Sequence, residues 1–203
     1  MLKWMQANEK ICLSGDFSQD YWRQRYPDQT DRIVFTQEDL SLSRICEYAL
    51  SFEASREKRT VSFFYGGQPK IDIEIKNGSL DECVDSILNC GCGLVGMDLY
   101  DLQRLMRSDE ATSVYYGGCD VSEAIAVQKK YYSQASVFLV IYASEGCQLL
   151  DVEAVFAQIV SQCNPKTEVF WQLHLEADRD EYTCDLFIGG KALPDDSDGD
   201  FVD

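Results

Sequence analysis

Apolar positions in the second half of the chain predict a sheet packed against helices. Ser136–Ala143 is almost continuously apolar, a pattern typical of a strand that is buried on both faces. Leu149–Ser161 carries apolar residues at spacings of three and four, which predicts an amphipathic helix. Glu168–Leu175 and Tyr182–Gly189 alternate as strands do. These segments predict a strand, a helix and two further strands in order.

The residues before Ser136 extend this pattern toward the N-terminus. Leu99–Arg107 predicts a helix, Ser113–Tyr116 a strand ended by Gly117 and Gly118, and Val121–Tyr132 a second helix. The second half therefore has the predicted order αβαβαββ.

The first half follows a comparable course of strands and helices. The predicted strands are Lys10–Leu13, Arg32–Thr36, Thr60–Tyr65 and Lys70–Ile75, and the predicted helices are Gln19–Arg25 and Leu40–Ala54.

These two halves predict an α/β (α+β) fold built as a tandem repeat. Residues 1–77 would form a degenerate first copy and residues 99–190 a second copy. Residues 78–98 would connect them through the helix Ser79–Asn89 and an acidic loop. Residues 191–203 are acidic and poor in helix formers, which predicts a flexible tail.

Charge narrows the classes of partner. The chain has 18 Lys and Arg against 35 Asp and Glu, a formal net charge of −17. Such a charge repels nucleic-acid phosphates and anionic lipid head groups, so neither nucleic acid nor membrane is an expected partner. The sequence contains no apolar run long enough to span a bilayer, and its first residues do not resemble a secretory signal. We expect a cytoplasmic protein.

The cysteines and the single histidine give little support to metal or nucleophile chemistry. The nine cysteines are an odd number scattered through predicted strands and helices, typical of reduced and mostly buried thiols. Cys90 and Cys92 form a lone Cys-x-Cys pair, and His174 lies in a predicted strand, where a structural role is favoured. We expect no metal and no cofactor.

The strongest chemical lead is a glycine-rich loop with two aspartates. Gly93 belongs to Gly-Cys-Gly-Leu-Val-Gly-Met-Asp-Leu-Tyr-Asp, residues 91–101, which leads into the predicted helix. Asp98 can cap the unpaired N–H groups at the helix start, and Asp101 lies one turn later at the same end. An N-cap and a first-turn charge explain both residues without any activity; a role at an interface is the functional alternative.

Segment 93–190 resembles the C-terminal assembly domain of FtsZ, the tubulin-like division GTPase. Gly-Leu-Val-Gly-Met-Asp-Leu-Tyr-Asp-Leu, residues 93–102, is similar to that family's Gly-Leu-Ile-Asn-x-Asp-Phe-Ala-Asp-Val loop. The later segments Ser-Val-Phe-Leu-Val-Ile-Tyr-Ala-Ser-Glu, Leu-Leu-Asp-Val-Glu-Ala-Val-Phe, Glu-Val-Phe-Trp and Asp-Glu-Tyr-Thr-Cys-Asp-Leu-Phe-Ile-Gly-Gly follow the family's elements in order.

This resemblance implies that Asp98 and Asp101 belong to a loop that enters a neighbouring subunit's nucleotide pocket. The chain departs from the family pattern at Gly96, where the family has asparagine. It also lacks the Gly-Gly-Gly-Thr-Gly-Thr-Gly loop that cradles phosphates, and we find no Walker-type Gly-x-x-x-x-Gly-Lys. We therefore expect no GTP binding by this chain alone.

The leading hypothesis is a non-enzymatic interaction or regulatory protein with a cytoskeletal or cell-division partner. The expected partner is FtsZ or another tubulin-like GTPase, and a homodimer is a further arrangement open to such a module. One alternative is an activator that completes a partner GTPase through Asp98 and Asp101. A second alternative is a small enzyme with Cys90 or Cys119 as nucleophile.

Overall fold

A computed structural model gives the fold of this chain. It describes residues 9–37, 48, 50–65, 70–89, 112–131, 136–163, 165–177 and 181–190. The loop with Gly93, Asp98 and Asp101 lies outside the described residues, as do the predicted helix Leu99–Arg107 and the tail 191–203.

The described strands form one nine-stranded sheet in the order β2-β1-β3-β4-β5-β6-β9-β7-β8. The strands are β1 (Ile11–Gly15), β2 (Ile33–Thr36), β3 (Leu50–Ser55), β4 (Thr60–Tyr65), β5 (Ile71–Asn77), β6 (Thr112–Cys119), β7 (Ser136–Ser144), β8 (Glu168–Glu176) and β9 (Thr183–Gly190).

Most of these strands run in one direction. The β1–β2, β1–β3, β5–β6 and β7–β8 pairs are parallel, whereas β4 and β9 run antiparallel to both of their neighbours. Seven strands therefore end at the same edge of the sheet, which we call the carboxyl edge. In open α/β sheets, ligand sites form at this edge, beyond the ends of the parallel strands.

The four described α-helices cover the sheet on both faces. Helices α1 (Gln19–Arg25) and α2 (Leu80–Asn89) pack on one face, where residues such as Trp22 and Ile87 join a large apolar cluster. Helices α3 (Val121–Lys130) and α4 (Leu149–Val160) pack on the other face, and Val152 belongs to the second cluster. The described residues thus form a three-layer arrangement, a mixed α/β fold.

Local sequence explains where two of the helices begin. Asp120 accepts a hydrogen bond from the backbone N–H of Glu123, and the Glu123 carboxylate accepts one from the backbone N–H of Asp120. Ser79 and Glu82 make the same reciprocal pair before α2. Each pair satisfies backbone donors that a helix start leaves open.

The predicted elements of the second half are confirmed where they are described. Strand β7, with seven consecutive buried residues, is the buried strand that the continuous apolar pattern predicted. Helix α3 precedes β7, and helix α4 and strands β8 and β9 follow it, in the predicted order. The sequence predicted that this strand ends before Gly117, and that prediction was wrong. Strand β6 continues to Cys119, with a register irregularity between Tyr116 and Cys119.

The predicted helix Leu40–Ala54 was wrong at its C-terminal end. Leu50–Ser55 is strand β3, paired with β1 on one side and β4 on the other. Phe52 stacks on Phe63 of β4 with ring centroids 5.1 Å apart. Partners distant in sequence thus supply the pairing, and they override the helical spacing of the segment.

The two halves of the sheet differ in strand direction. Strand β3 lies beside β1 and runs parallel to it, whereas β9 lies beside β7 and runs antiparallel to it. The tandem repeat stays a prediction that this topology does not show. No helix among the described ranges is long and apolar enough to cross a membrane.

Candidate functional site

A cleft opens at the carboxyl edge beside helices α1 and α2. Its volume is about 210 Å³, and we call it the central cleft. Ser86 of α2, Tyr115 of β6, Tyr142 of β7 and Asp185 of β9 line its buried part. Further lining residues are Tyr21, Arg25, Glu82, Asp85, Gly118, Glu176 and Thr183.

Asp185 is a polar residue at a core-facing position. Along β9, Leu186 and Ile188 pack into the cluster beneath α3 and α4, whereas Phe187 packs into the cluster beneath α1 and α2. Because strand residues alternate between faces, Asp185 shares its face with Phe187. It is only 6% exposed. A carboxylate at such a position needs hydrogen-bond partners to offset its lost hydration.

Three donors supply those partners. Tyr142 Oη donates to Asp185 Oδ2 at 3.0 Å, Gly118 N donates to Asp185 Oδ1 at 2.8 Å, and Ser86 Oγ also donates to Oδ2. None of the three donors carries a positive charge. Burial raises the pKa of Asp185 above its usual value, although these hydrogen bonds act in the opposite direction.

Tyr115 is the second unusual group in the central cleft. Its ring is fully buried and lies 4.8 Å from that of Phe187, centroid to centroid. Its hydroxyl lies within hydrogen-bonding reach of Ser86 and Asp185. Burial raises the pKa of Tyr115 well above the usual value, and the nearby charge of Asp185 adds to this effect. The phenol therefore stays protonated at neutral pH.

Gly117 makes room for this phenol. A Cβ atom at Gly117 would lie 2.5 Å from Tyr115 Oη and 2.8 Å from Cζ of the same ring. Any larger residue would therefore displace Tyr115 from its position in the cleft.

A polar seam joins helices α1 and α2 next to the cleft. Asp81 Oδ1 accepts hydrogen bonds from Trp22 Nε1 at 2.7 Å and from Ser18 N at 3.0 Å. One turn along α2, Asp85 accepts from Tyr26 Oη at 2.5 Å and from Arg25 Nε at 2.9 Å. The spacing of four residues places both carboxylates on the side of α2 that faces α1. This seam fixes the position of α1 over the sheet.

A second cavity, of about 270 Å³, lies at the N-terminus of α2. Arg59 lines it, but its guanidinium donates to the backbone carbonyls of Ile75 at 3.0 Å and Gly78 at 3.4 Å. Asp16 also lines it and accepts from the backbone N–H of Arg56 at 2.8 Å. These two side chains bind backbone groups of the surrounding loops, and this structural role explains why charged residues line the cavity.

Three exposed leucines lie at, or shortly after, the carboxyl ends of β7 and β8. Leu149 is 69% exposed, Leu150 is 72% exposed and Leu175 is 42% exposed, and they are the only large apolar side chains classed as exposed in the described ranges. Leu149 and Leu150 begin α4, directly after the turn that follows β7. Leu175 pairs with Ala143 at the carboxyl end of β7 and β8. We call this surface the apolar corner.

The geometry of the turn holds the corner together. The backbone N–H of Glu145 donates to the carbonyl of Glu176 at 3.2 Å, which ties the turn before α4 to the end of β8. Leu173 packs into the cluster beneath α3 and α4, so Leu175, two residues later, lies on the same face of the sheet as α4. Leu175 and helix α4 therefore lie on the same face of the sheet, at its carboxyl edge.

Strand β8 borders the apolar corner and is the last strand of the sheet that the described residues form. Its nine residues pair with β7 on one side. Acidic residues occur only at its two ends, Glu168 and Glu176, and it contains no Lys, Arg or Pro. Proteins usually protect long edge strands with such residues, because an open edge can pair with another chain.

The structure describes only some of the predicted site residues. Gly93, Asp98, Asp101 and Cys90 lie outside the described residues, so their roles stay predictions. Cys119 is 2% exposed, and burial raises its pKa to about 11, with Glu123 adding to the effect. A catalytic cysteine needs the opposite shift.

His174 lies in strand β8, as the alternation of its segment predicted. Its ring stacks on Tyr142 with centroids 5.5 Å apart, and its Nε2 lies 2.8 Å from Nε2 of Gln172. Burial lowers the pKa of His174. Across the ranges that the structure describes, no group of three or more His, Cys, Asp or Glu side chains is arranged to hold a metal ion.

Sequence reasoning missed both the central cleft and the apolar corner. The available signal for the cleft was Asp185 itself, a charged residue inside the strand-forming run Tyr-Thr-Cys-Asp-Leu-Phe-Ile. The signal for the corner was the pair Leu149-Leu150, of which Leu149 falls outside the apolar stripe of its helix.

The comparisons with known proteins give a partial structural likeness. No protein-family model and no curated protein sequence matches the chain. The W319Y mutant of FtsZ from M. jannaschii is similar with a TM-score of 0.44 and 13% identity, over 56% of this chain and 38% of that chain. The empty FtsZ dimer from M. jannaschii gives a TM-score of 0.37 and 14% identity, over 59% of this chain and 45% of that chain.

Part of this fold is similar to part of FtsZ. The chain spans less than half the length of the FtsZ chains it matches. The likeness is a distant one of fold, and the assignment to the C-terminal domain of FtsZ stays a prediction.

Proposed function

We propose that this protein is a non-enzymatic interaction module that binds a partner protein through the apolar corner. The observation that carries the proposal is the exposure of Leu149 and Leu150 at the start of α4 and of Leu175 near the end of β8, the strand beside β7. Exposed apolar side chains scattered singly are ordinary, but a contiguous group marks a surface that another molecule covers.

The surroundings of the corner define the chemistry of the partner. Glu145, Asp151 and Glu153 are exposed next to the leucines, and Glu176 ends the neighbouring strand. The protein as a whole carries a net charge of −17. A complementary surface therefore has an apolar centre with Lys or Arg around it, since opposite charges at the rim guide association.

The partner that we propose first is an FtsZ-type or tubulin-like GTPase. Support comes from the sequence of segment 93–190, whose motifs follow those of the FtsZ assembly domain in order. A protein that shares assembly-domain features without a phosphate-cradling loop is suited to regulate assembly rather than to hydrolyse nucleotide.

The test is a binding measurement with the purified FtsZ-type protein of the same cell, in the presence of GTP and of GDP. We expect the unmodified chain to bind, and the double variant Leu149→Ser, Leu150→Ser to bind at least about tenfold more weakly, because two apolar anchors are lost. Both positions are exposed, so the variant keeps its fold.

Ala157→Ser is the matched control, since Ala157 is an exposed residue of the same helix about two turns from the corner. It should bind like the unmodified chain. If no nucleotide state gives binding, the proposed partner is wrong; if the double variant binds normally, the apolar corner is not the interface.

A further inference from the structure

We propose that the open edge of strand β8 pairs with an extended strand of a partner protein, and that this strand carries a Lys or Arg at the end beside Glu176. The inference rests on the proposed function, because β8 borders the apolar corner and Leu175 belongs to both. It goes further in naming the form of the partner, a strand that extends the sheet through backbone hydrogen bonds.

The first argument is the direction in which the backbone groups of β8 point. The carbonyl of Glu176 accepts a hydrogen bond from the backbone N–H of Glu145, the residue that follows its β7 partner Ser144. Glu176 therefore directs its backbone groups toward β7, and so does every second residue before it, because these groups alternate in side along a strand. The residues between them direct theirs away from the sheet. These outward residues are Val169, Trp171, Leu173 and Leu175.

The outward backbone groups have no partner within the described ranges. Strand β8 is the last strand of the sheet that those ranges form, and no backbone hydrogen bond outside the strands uses any of the four residues. Their N–H and C=O groups thus form a row that another strand can bind. The opposite edge is different, because β2 has only four residues, Ile33–Thr36. Short edge strands resist such pairing, whereas β8 has nine residues.

Apolar side chains flank the open edge on both faces of the sheet. Val169 and Trp171 are half-buried against the cluster beneath α3 and α4, and Phe170 is half-buried on the opposite face. Trp171 lies 4.9 Å from Phe156 of α4, centroid to centroid. An added strand would cover the part of these side chains that is still exposed, so apolar burial would add to the backbone pairing.

The charge at the carboxyl end of β8 defines the partner strand. Glu176 ends β8, and the exposed Glu145 lies next to it through their backbone hydrogen bond of 3.2 Å. Strand β8 itself contains no Lys or Arg. A Lys or Arg on the added strand would lie beside these two carboxylates, and opposite charges on neighbouring strands stabilise their pairing. At the other end, the exposed Lys166 precedes Glu168 by two residues, so the basic residue is needed at the Glu176 end.

The same charges disfavour a second copy of this chain as the occupant. The antiparallel register that pairs all of the outward residues is centred on Gln172. It would place Glu176 of each copy opposite Glu168 of the other, and like charges directly opposite one another destabilise a sheet. Each copy also carries a net charge of −17. The partner strand is therefore basic and belongs to another protein.

The experiment uses the full chain and a synthetic peptide, Lys-Val-Thr-Val-Thr-Val-Thr-Val-Lys, capped at both termini. A Lys at each end places one beside Glu176 in either strand direction, and N-methylated valines leave the peptide only one edge that can pair. Amide hydrogen exchange followed by NMR is the readout. On binding, the amides of the outward residues should exchange at least about tenfold more slowly. The amides of Phe170, Gln172 and His174 already face β7 and should not change. No binding at millimolar concentration, or protection that does not alternate along β8, would overturn the inference.

Val169→Pro tests the edge directly, and Val169→Ala is its matched control. Both variants lose the valine side chain, but only proline removes the outward N–H, and the bonds to β7 are kept in both. We expect Val169→Pro to bind the peptide at least about fivefold more weakly and Val169→Ala to bind like the unmodified chain. Equal affinities of the two variants would contradict edge pairing. The exchange pattern of the unmodified chain keeps the test valid if Val169→Pro fails to fold.

A peptide with Glu in place of both Lys residues tests the charge of the partner strand. It should bind at least about tenfold more weakly at low salt, and equal binding would overturn the basic strand. Analytical ultracentrifugation of the chain alone tests the other occupant. A dimer that Val169→Pro dissociates would identify a second copy at the edge and would also overturn the inference.

The outcomes for the edge and for the proposed function are distinguishable. If the FtsZ-type protein binds and the peptide does not, the edge inference is wrong and the apolar corner stands. If the peptide binds with alternating protection and the FtsZ-type protein does not bind, the edge stands and the proposed partner is wrong.

Discussion

Trp22 Nε1 donates a hydrogen bond of 2.7 Å to Asp81 Oδ1, and this bond joins helices α1 and α2 across 59 residues of sequence. The same oxygen accepts from the backbone N–H of Ser18 at the start of α1. One carboxylate oxygen therefore positions a whole helix, and α1 in turn supplies Tyr21 and Arg25 to the central cleft.

Replacement of Asp81 should loosen this helix. Asp81→Ala leaves the Trp22 indole N–H and the Ser18 amide without their acceptor, and we expect a loss of about 2–4 kcal/mol in the free energy of unfolding. Urea unfolding followed by tryptophan fluorescence measures it. Asp20→Ala, which removes only an exposed carboxylate 3.7 Å from Arg23, should leave stability almost unchanged. Equal effects of the two variants would show that the seam does not hold α1.

Gly117 and Gly118 should respond differently to alanine. Gly117→Ala places a Cβ atom against the buried Tyr115 ring, and we expect a loss of about 2–3 kcal/mol from overpacking. Gly118 has φ of +63° and open space around its Cα, so Gly118→Ala should cost only about 1 kcal/mol of backbone strain.

A Tyr115→Phe background separates these two causes. Without the phenol oxygen, the closest of the clashing atoms is removed while ring atoms Cζ and Cε1 stay 2.8 and 2.9 Å from the new Cβ, so the cost of Gly117→Ala should fall in part while that of Gly118→Ala stays the same. Thermal unfolding of the four combinations provides the measurement. An unchanged cost of Gly117→Ala in that background would contradict the close contact with Tyr115.

Stability should depend on pH through Asp185. Because burial raises its folded-state pKa above the unfolded value, the folded protein binds more protons than the unfolded chain between the two values. Its contribution is therefore fully present below its ordinary pKa of 3.8 and is lost as pH rises through the raised folded-state pKa. Tyr115 and Tyr142 stay neutral over this range, since burial raises the pKa of both.

Asp185→Asn isolates this contribution, because asparagine does not titrate. The stability of the variant relative to the unmodified chain should increase as pH rises from the acid range toward neutrality, and urea unfolding at a series of pH values measures it. A difference that stays constant with pH, or decreases, would show that Asp185 ionises at least as easily in the folded protein as in the unfolded chain.

Cys119 should be inert in the native protein. It is 2% exposed and its pKa is about 11, so almost no thiolate exists at pH 7. Mass spectrometry after brief iodoacetamide treatment should find Cys119 unmodified in native buffer and modified in urea. Rapid labelling of Cys119 in the native protein would contradict this prediction and support the alternative of an enzyme with a cysteine nucleophile.

The second half of the fold was largely predictable from sequence, because its signals are local. Strand β7 is continuously apolar, and Asp120 with Glu123 marks the start of α3. Strand β3 was not predictable in this way. Leu50–Ser55 lies between β1 and β4, and those neighbours, rather than its own spacing, make it a strand.

The central cleft could not be predicted because its partners are far apart in the chain. Ser86 donates to Asp185 across 99 residues. Asp185 in a strand could equally face solvent, and only the registry of β9 between β6 and β7 turns it inward. The apolar corner depends in the same way on the pairing of β7 with β8, which brings Leu175 to the edge where α4 begins.

The most direct test of the interaction proposal is hydrogen–deuterium exchange of the full chain, free and mixed with the FtsZ-type protein of the same cell. We predict slower exchange in residues 145–151 and 172–176 when the partner is present, and the same exchange elsewhere on α4. Unchanged exchange in both segments, or protection confined to other parts of the chain, would contradict it.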